Sequence, residues 1–370
     1  MNSTENQVKE LLKMAGINVG GSEPLDIDVL DKRFYGKVMR YRELGLGESY
    51  MDGWWNCQSI DQLIERLLSS NIRGQVKVSP ALLMAAISSQ FKTQSIRGAR
   101  QNAEHHYNIG NDLYQRMLGT RMIYSCAYWK GAKNLDQAQD NKLDLICKKL
   151  ELKQGMKLLD IGCGWGGFAE FAATEYGVNV TGITPAYEQV KLAKANTKGL
   201  SVKILQKDYR EISGKYDRIT SIGMLEHVGS KNYKNFFEIC NQLLSRDGIM
   251  LHHTISANSP SKYIDPWMSK YIFPGGVLPT LSQISDAIQN RLIIEDVQNI
   301  GPDYDKTLMA WYKNFKAHYS EIKDVYDERF YRMWEFYLLI CAGAFRARQI
   351  QLLQVVMRKV TQSNTYIAAR

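Results

Sequence analysis

A regular alternation of strand-like and helix-like segments, which begins near residue 152, constrains the fold of this chain most strongly. Short segments predict strands at residues 157–161, 179–183, 202–205, 216–222, 248–253 and 352–357, and the first of them is an apolar run that ends in glycines. Segments with apolar residues at helical spacing lie among them, at residues 168–176, 187–198 and 233–244. Strands that alternate with helices of this length form a parallel sheet with helices on both faces. The sequence therefore predicts an α/β fold built on a doubly wound parallel sheet.

The first hundred residues follow a different pattern. Short segments with helical apolar spacing, at residues 8–14 and 60–68, are separated by turn signals such as the glycine pair at residues 20–21. We therefore predict a small helical N-terminal domain over residues 1–100 and a sheet-containing domain over residues 101–370.

The composition indicates an ordinary globular protein of the cytoplasm. No stretch approaches the roughly 18 uninterrupted apolar residues of a membrane span, and the first residues do not resemble a secretory signal. The six cysteines lie far apart, and no group of them has the spacing of zinc ligands. We therefore predict free thiols and no metal site.

The formal net charge of +9 indicates attraction to polyanions, and the basic residues are unevenly distributed. Residues 73–103 hold five basic residues and no acid, with Lys92, Arg97 and Arg100 among them, and residues 336–370 again hold five and no acid. Basic residues interleaved with apolar ones are typical of contact with an anionic membrane surface, but also of a solvated helix face. The charge pattern leaves both interpretations open.

A glycine-rich loop joins the first strand of the alternation to its helix. Gly162, Gly164 and Gly166 fit the spacing GxGxxG, in which the backbone approaches a ligand closely and a helix N-terminus offers free N–H groups. A dinucleotide site also expects an acidic residue at the end of the second strand, but residues 182–185 contain none. Instead, Asp160 lies just before the glycines. This arrangement favours S-adenosylmethionine as the ligand, and a methyltransferase over a dehydrogenase.

Polar side chains follow several of the predicted strands at the carboxyl ends, where open α/β sheets bind ligands. Thr184 ends the second strand, Glu226 and His227 follow the fourth, and His253 ends the fifth. A single histidine of this kind is usually structural, but several polar groups at one edge indicate a site. The aromatic segment at residues 124–129 is either core packing or a surface for a sulfonium cation.

Further motifs are spread over nearly the whole chain. They lie at residues 50–55, 106–111, 124–129, 159–167, 223–229, 265–267, 270–275, 303–305 and 341–346. In these motifs and in their order the sequence resembles a known family, the cyclopropane-fatty-acyl-phospholipid synthases, which are relatives of the mycolic acid cyclopropane synthases.

The resemblance implies a class I S-adenosylmethionine-dependent methyltransferase fold, Rossmann-like, with a lipid-binding insertion near residues 256–290. It implies transfer of a methylene group from S-adenosylmethionine to the cis double bond of a membrane phospholipid's acyl chain. The implied partners are that phospholipid, an anionic membrane surface and a second copy of the chain, but no nucleic acid. We expect a cytoplasmic enzyme that associates peripherally with the inner face of the membrane.

The resemblance also assigns roles to individual residues. It implies that a bicarbonate ion is held near the backbone of Ile255 by four side chains, those of Cys126, Glu226, His253 and Tyr304. It implies that the cofactor is bound by Tyr124, Ser125, Gly162, Gly164, Gly166, Thr184, Gln189 and Tyr209.

The chemistry explains why such groups are needed. An alkene is a weak nucleophile, and its attack on a sulfonium methyl group leaves a carbocation with no lone pair to quench it. The site must therefore exclude water and supply one base for the proton of the new methyl group. We expect His253 and Tyr304 to donate hydrogen bonds to the bicarbonate, and Glu226 to accept one from it.

Cys341 is the other candidate base, because a thiolate can accept a proton. Its neighbours Leu338, Leu339, Ala342 and Phe345 place it on an apolar helical face, where the pKa of a thiol rises and the thiol becomes inert. Core packing is therefore its expected role.

Two other functions remain open from the sequence. One is a methyltransferase of a small soluble acceptor, which would share the cofactor loop but would not need the basic and apolar stretches. The other is a membrane- or nucleic-acid-binding protein that has kept the fold without activity. An intact loop from Gly162 to Gly166, together with Glu226 and His253, argues against the second.

Overall fold

The computed structural model of the protein describes residues 3–70, 110–261, 263–360 and 365–370. The basic stretch at residues 73–103, with Lys92, Arg97 and Arg100, and the predicted domain boundary near residue 100 lie outside the described residues.

The described residues form helices and strands in the following order along the chain. The helices are α1 (Ser3–Met14), α2 (Arg33–Met51), α3 (Ile60–Ser69), α4 (Asn111–Met117), α5 (Leu135–Lys149), α6 (Gly167–Tyr176), α7 (Tyr187–Asn196), α8 (Tyr233–Leu243), α9 (Pro266–Tyr271), α10 (Leu281–Ile288), α11 (Gly301–His318) and α12 (Glu328–Arg346). The strands are β1 (Asp28–Val29), β2 (Trp55–Asn56), β3 (Lys157–Ile161), β4 (Asn179–Thr184), β5 (Val202–Gln206), β6 (Tyr216–Ile222), β7 (Leu244–Ala257), β8 (Leu292–Asn299) and β9 (Ile350–Lys359).

The main sheet has seven strands in the order β5-β4-β3-β6-β7-β9-β8. The first five of these strands are parallel, as the sequence predicts. The sheet is nevertheless mixed, because β8 pairs with β9 in the antiparallel direction. Ile161 lies opposite both Ile183 and Ser221, and Ile222 lies opposite His253, so the carboxyl ends of these strands share one edge. The edge is where the predicted polar residues lie.

The sheet is buried on both faces, as expected for parallel strands connected by helices. Consecutive residues of β3 point to opposite faces: Leu158 packs in a cluster with Phe168 of α6, and Leu159 in a cluster with Phe236 of α8. Both leucines are fully buried. Burial on both faces explains why the consecutive residues Leu158 and Leu159 are both apolar, although they point to opposite faces.

The chain forms two compact units, each built from segments that are far apart in sequence. The helical unit comprises residues 1–92, 263–275 and 304–350, and the sheet unit comprises residues 93–262, 276–303 and 351–370. The single boundary predicted near residue 100 instead places residues 263–275 and 304–350 in the sheet-containing domain.

The core of the helical unit is rich in aromatic side chains. Trp267 of α9 is fully buried, its ring centroid lies 4.9 Å from that of Phe336, and its indole N–H faces the sulfur of Met51 at 3.3 Å. At Gly47 a Cβ atom would lie 2.4 Å from the Trp267 ring, so only glycine permits this approach. Trp267, which belongs to the predicted insertion at residues 256–290, is therefore a core residue of this unit.

A charged network joins α3, α11 and α12 within the helical unit. Arg346 donates hydrogen bonds to both carboxylate oxygens of Asp305, at 2.8 and 2.9 Å, and to Asp61 at 2.7 Å. Such two-pronged pairs of arginine and carboxylate fix the orientation of both side chains.

Within the described ranges no helix is both long and apolar enough to cross a membrane.

Candidate active site

The glycine loop after β3 adopts a conformation that side chains would disfavour. Gly162, Gly164 and Gly166 have φ angles of +85°, +54° and +88°. The amides of Gly162 and Cys163 donate to the carbonyl of Ile183, at 2.9 and 3.0 Å, which fixes the loop against the end of β4. A Cβ atom at Gly164 would meet nothing within 4 Å, whereas one at Gly166 would crowd α7. Gly164 is therefore the position at which the loop backbone faces open space and a ligand can approach it.

A buried pair of charged groups lies beneath this loop. Asp160, the penultimate residue of β3, is 1% exposed, and burial raises the pKa of its carboxyl to about 7. Lys142 of α5 is fully buried, and burial lowers the pKa of its ammonium to about 7, opposed by the charges of Cys126 and Asp160. Its Nζ donates to the hydroxyl of Ser125 at 3.0 Å. Lys142 thus connects α5 to the segment before the sheet, and its charge interacts with that of Asp160 in β3.

Lys142 is not among the residues that the sequence predicts for the site. Its spacing contains a signal, since Leu135, Ala138, Lys142, Ile146 and Lys149 recur at three- and four-residue intervals and all are buried. A lysine inside an apolar stripe is a buried charge that needs a partner.

The other residues predicted to bind the cofactor belong to the same sheet unit. Thr184 at the end of β4 donates its hydroxyl proton to Oε1 of Gln189 in the first turn of α7, at 2.7 Å, and both are buried. Tyr209, which follows β5, is buried against Phe236 with ring centroids 5.2 Å apart. Tyr124 packs edge-on against the ring of Tyr114, also at 5.2 Å. The structure therefore places Thr184 and Tyr209 at the ends of successive strands of the sheet unit, and Tyr124 in the segment before the sheet.

Glu226 and His253 come together on the same unit. Glu226, in the turn after β6, is 7% exposed, and its Oε1 accepts a hydrogen bond of 2.7 Å from the amide of Ile255. That amide lies two residues beyond His253 on β7. His253 is 1% exposed, and its Nδ1 lies 3.4 Å from Nε2 of Gln354 on β9. The carbonyl of His253 accepts from Gly223 at 2.8 Å, which holds the two strand ends in register.

Each of these two side chains presents a buried polar atom with no hydrogen-bond partner among the described residues, Oε2 of Glu226 and Nε2 of His253. Leaving one such atom unsatisfied costs about 1–3 kcal/mol, and more if it is charged. Burial raises the pKa of the Glu226 carboxyl to about 7. Burial, with the nearby charges of Lys142, His252 and Lys149, lowers the pKa of His253 well below its ordinary value. The pair offers a small polar ligand one carboxyl oxygen and one ring nitrogen of a neutral imidazole.

Cys126 is fully buried in the sheet unit. Its Sγ lies 3.2 Å from the carbonyl oxygen of Ala127 and 4.0 Å from that of Ile300. The charge of Lys142 acts on Cys126, Asp160 and His253 alike. All four residues belong to the sheet unit.

Tyr304 and Cys341 belong to the helical unit. The Tyr304 ring is 9% exposed and packs against Phe345, with centroids 4.5 Å apart. Cys341 is half-buried, and its pKa is raised to about 12, first by burial and then by the charge of Asp265. The thiol is therefore protonated at neutral pH, in agreement with the apolar face that the sequence indicates.

Glu226→Gln should stabilise the protein in a pH-dependent way. The pKa of the Glu226 carboxyl is 4.5 in the unfolded chain and about 7 in the folded protein. The folded state therefore holds this proton more tightly, and that contribution to the free energy of unfolding is lost as the pH rises from 4.5 through 7. The variant should gain up to about 3 kcal/mol over the wild type above pH 7, and little at pH 4.5. Urea unfolding in buffer free of carbon dioxide measures the difference. The exposed Glu175→Gln is the matched control, and a gain for Glu226→Gln that does not vary with pH would contradict the burial argument.

Comparisons with known proteins place the chain among enzymes of lipid chemistry. A family model described as mycolic acid cyclopropane synthetase matches residues 94–355. The Escherichia coli (strain K12) cyclopropane-fatty-acyl-phospholipid synthase is 48% identical, over 97% of this chain and 94% of that protein. A probable fatty acid methyltransferase of Pseudomonas putida is 34% identical, over 92% of this chain and 89% of that protein.

Solved structures agree with these sequence matches. Mycolic acid cyclopropane synthase CmaA1, complexed with SAH and CTAB, has 32% identity and a TM-score of 0.67, over 70% of this chain and 98% of that one. The cyclopropane synthase MmaA2 of Mycobacterium tuberculosis has 29% identity and a TM-score of 0.66, over 70% of this chain and 97% of that one. These matches confirm the predicted class I methyltransferase fold.

Proposed function

The chain belongs to the mycolic acid cyclopropane synthetase family, and from this premise we propose that it converts a cis double bond of a membrane phospholipid's acyl chain into a cyclopropane ring. S-adenosylmethionine is the proposed methyl donor. The observation that carries the proposal is the buried pair of Glu226 and His253, each with an unpartnered polar atom within the described chain, on the sheet edge that also holds the glycine loop. The relative that is 48% identical supports phospholipid as the substrate class.

The residues present fit S-adenosylmethionine. Gly164 faces open space at the start of a helix, and α6 begins at Gly167 directly after the loop, so its first amides are free to meet a carboxylate or ribose oxygen. Tyr209 offers a buried aromatic ring beyond β5, which suits an adenine. Thr184 and Gln189 are already hydrogen-bonded to each other, so they form a preorganised polar surface between the glycine loop and Tyr209.

The same edge fits a bicarbonate ion. Its oxygens require a donor, which Nε2 of His253 supplies, and its O–H requires an acceptor, which Oε2 of Glu226 supplies. When bound, bicarbonate supplies the base for the methyl group that S-adenosylmethionine delivers to the alkene. The protein orients that ion and excludes water from it. The hydrogen bond from the Ile255 amide holds Glu226 in position for this role. For Tyr304 the assignment rests on the family motif.

Cys341 does not fit the role of base. Its thiol has a pKa of about 12, so thiolate is scarce at neutral pH, and a protonated thiol cannot remove a proton from carbon. Core packing remains our proposal for this residue.

We also propose two partners, an anionic membrane surface and a second copy of the chain. The net charge of +9 supports work at an anionic surface, on the inner face of the membrane. The proposal of a homodimer rests on the family resemblance.

The substrate class can be tested by measuring release of S-adenosylhomocysteine. We expect release with anionic liposomes of unsaturated phospholipid, and none with liposomes of the matching saturated lipid, because only the alkene can attack the sulfonium methyl group. A panel of water-soluble amine, hydroxyl and thiol acceptors is run in parallel, with His253→Ala as the inactive control. Turnover on a soluble acceptor with none on the unsaturated liposomes would replace this proposal by a methyltransferase of small molecules.

A further inference from the structure

A glutamine interrupts the apolar sequence of β9 where that strand passes β7. Gln354 lies between Leu353 and Val355, which are buried in the core, and it is itself fully buried. An amide in such a place loses its hydration and must find partners inside the protein. Its Nε2 lies 3.4 Å from Nδ1 of His253. Its Oε1 has no partner within the described residues.

This contact favours one of the two tautomers of His253. In this orientation of the Gln354 amide its nitrogen faces Nδ1 and can only donate, so Nδ1 presents its lone pair. A neutral imidazole carries one N–H, which is then on Nε2. Burial keeps this ring neutral, because it lowers the pKa of His253 well below its ordinary value. Nε2 is the ring atom left without a partner in the described chain, so the proton faces the place where a ligand is needed.

We propose that Gln354 is a positioning residue, which fixes His253 as the Nε2–H tautomer so that it donates a hydrogen bond to the bound anion. This inference rests on the proposed function, because it assigns the donor for the bicarbonate. Gln354 acts through His253 and has no direct part in the reaction. If the ring held its proton on Nδ1 instead, Nε2 would direct a lone pair at the anion and repel it.

A purely structural role explains the contact less well. In that case the amide would be satisfied at both ends, or an apolar side chain would occupy the position as in the rest of the strand. The same logic is known from catalytic triads, where exchanging a carboxylate for an amide beside histidine leaves the geometry intact but gives the wrong tautomer. In this protein the corresponding test is the reverse exchange, in which the amide of Gln354 is replaced by a carboxylate.

The wild-type tautomer can be read directly by nitrogen NMR of protein labelled with ¹⁵N-histidine. We expect Nε2 of His253 to show the shift of a protonated ring nitrogen and Nδ1 that of an unprotonated one, with His253→Gln identifying the signals. Added bicarbonate should move the Nε2 signal more than that of Nδ1. A proton on Nδ1, or an Nε2 signal that does not respond to bicarbonate, would overturn the inference.

Gln354→Glu makes the matching change in function. The new carboxylate accepts from Nδ1, moves the ring proton there and removes the donor at Nε2. We expect the KM for bicarbonate to rise about 10–100-fold, the effect of losing one hydrogen bond to a charged group, with little change in affinity for S-adenosylhomocysteine. Gln298→Glu is the matched control, because Gln298 lies opposite Gln354 on β8 and a glutamate there brings the same charge to a side chain that has no hydrogen bond to His253 within the described residues.

The outcomes separate this inference from the proposed function. An unchanged bicarbonate KM in folded Gln354→Glu overturns the inference while leaving the function intact. A wild-type enzyme with the expected tautomer but with turnover indifferent to bicarbonate overturns the function, and with it the role of the donor. If Gln354→Glu does not fold, the wild-type NMR titration decides.

Discussion

Replacing Glu226 or His253 by alanine should lower turnover by about 10²–10⁴-fold, the range expected when positioned acid–base chemistry is lost. Each substitution removes one of the two buried polar atoms that we assign to the anion, so the ion would lose its orientation. Neither side chain belongs to the glycine loop, so S-adenosylhomocysteine should still bind. Steady-state kinetics with unsaturated liposomes, paired with calorimetry of S-adenosylhomocysteine binding, measures both effects.

The neighbouring His252 offers a matched control for His253. It is equally buried on β7, but its ring packs against Phe237 with centroids 5.7 Å apart, on the other face of the sheet. His252→Leu should therefore keep most of the turnover. Alanine variants of Glu226 and His253 that are folded and nearly fully active would remove this pair from the chemistry.

Gly164→Val should abolish binding of S-adenosylhomocysteine. The φ angle of +54° disfavours any side chain, and a branched side chain would occupy the open space into which the loop backbone faces. Calorimetry on the folded variant should show no measurable binding, while Gly164→Ala should show a smaller loss.

Gly199→Val separates strain from loss of the site. Gly199 has a φ angle of +84°, and a Cβ atom there would also meet nothing within 4 Å, but it follows α7 at a distance from the loop in sequence. The two valine variants should lose similar stability, and only Gly164→Val should lose the ligand. Affinity near that of the wild type in Gly164→Val would show that the loop does not hold the cofactor.

The strands of the sheet could be predicted closely from sequence. Residues 157–161 and 216–222 match β3 and β6 at both ends, because each segment is short and is bounded by turn residues. The antiparallel direction of β8 could not be predicted in the same way. Pairing direction depends on where the chain returns to the sheet, and α11 and α12 intervene between β8 and β9.

Local sequence patterns also could not predict which segments of the chain make up the helical unit. Residues 263–275 and 304–350 pack with the N-terminal helices through long-range contacts such as those of Trp267 with Met51 and of Arg346 with Asp61. A helical period predicts that α12 has a buried face, but it does not identify the segment that covers that face.

The site shows the same limit at the scale of single residues. Motifs identified Glu226 and His253, because both follow strands at the ligand edge. Lys142 and Gln354 were missed, since each is a polar residue within an otherwise regular helix or strand. Only packing shows that Lys142 meets Ser125 and that Gln354 meets His253.

The central claim is that Glu226 and His253 hold a bicarbonate ion that serves as the base. The most direct test is turnover of the wild type and of Cys341→Ser on unsaturated liposomes, in buffer stripped of carbon dioxide, with and without added bicarbonate. Our account predicts that both enzymes lose activity in the stripped buffer, that both recover when bicarbonate is added, and that Cys341→Ser keeps most of the wild-type rate. A folded but inactive Cys341→Ser, together with a wild type indifferent to bicarbonate, would contradict the account and make the thiol the base.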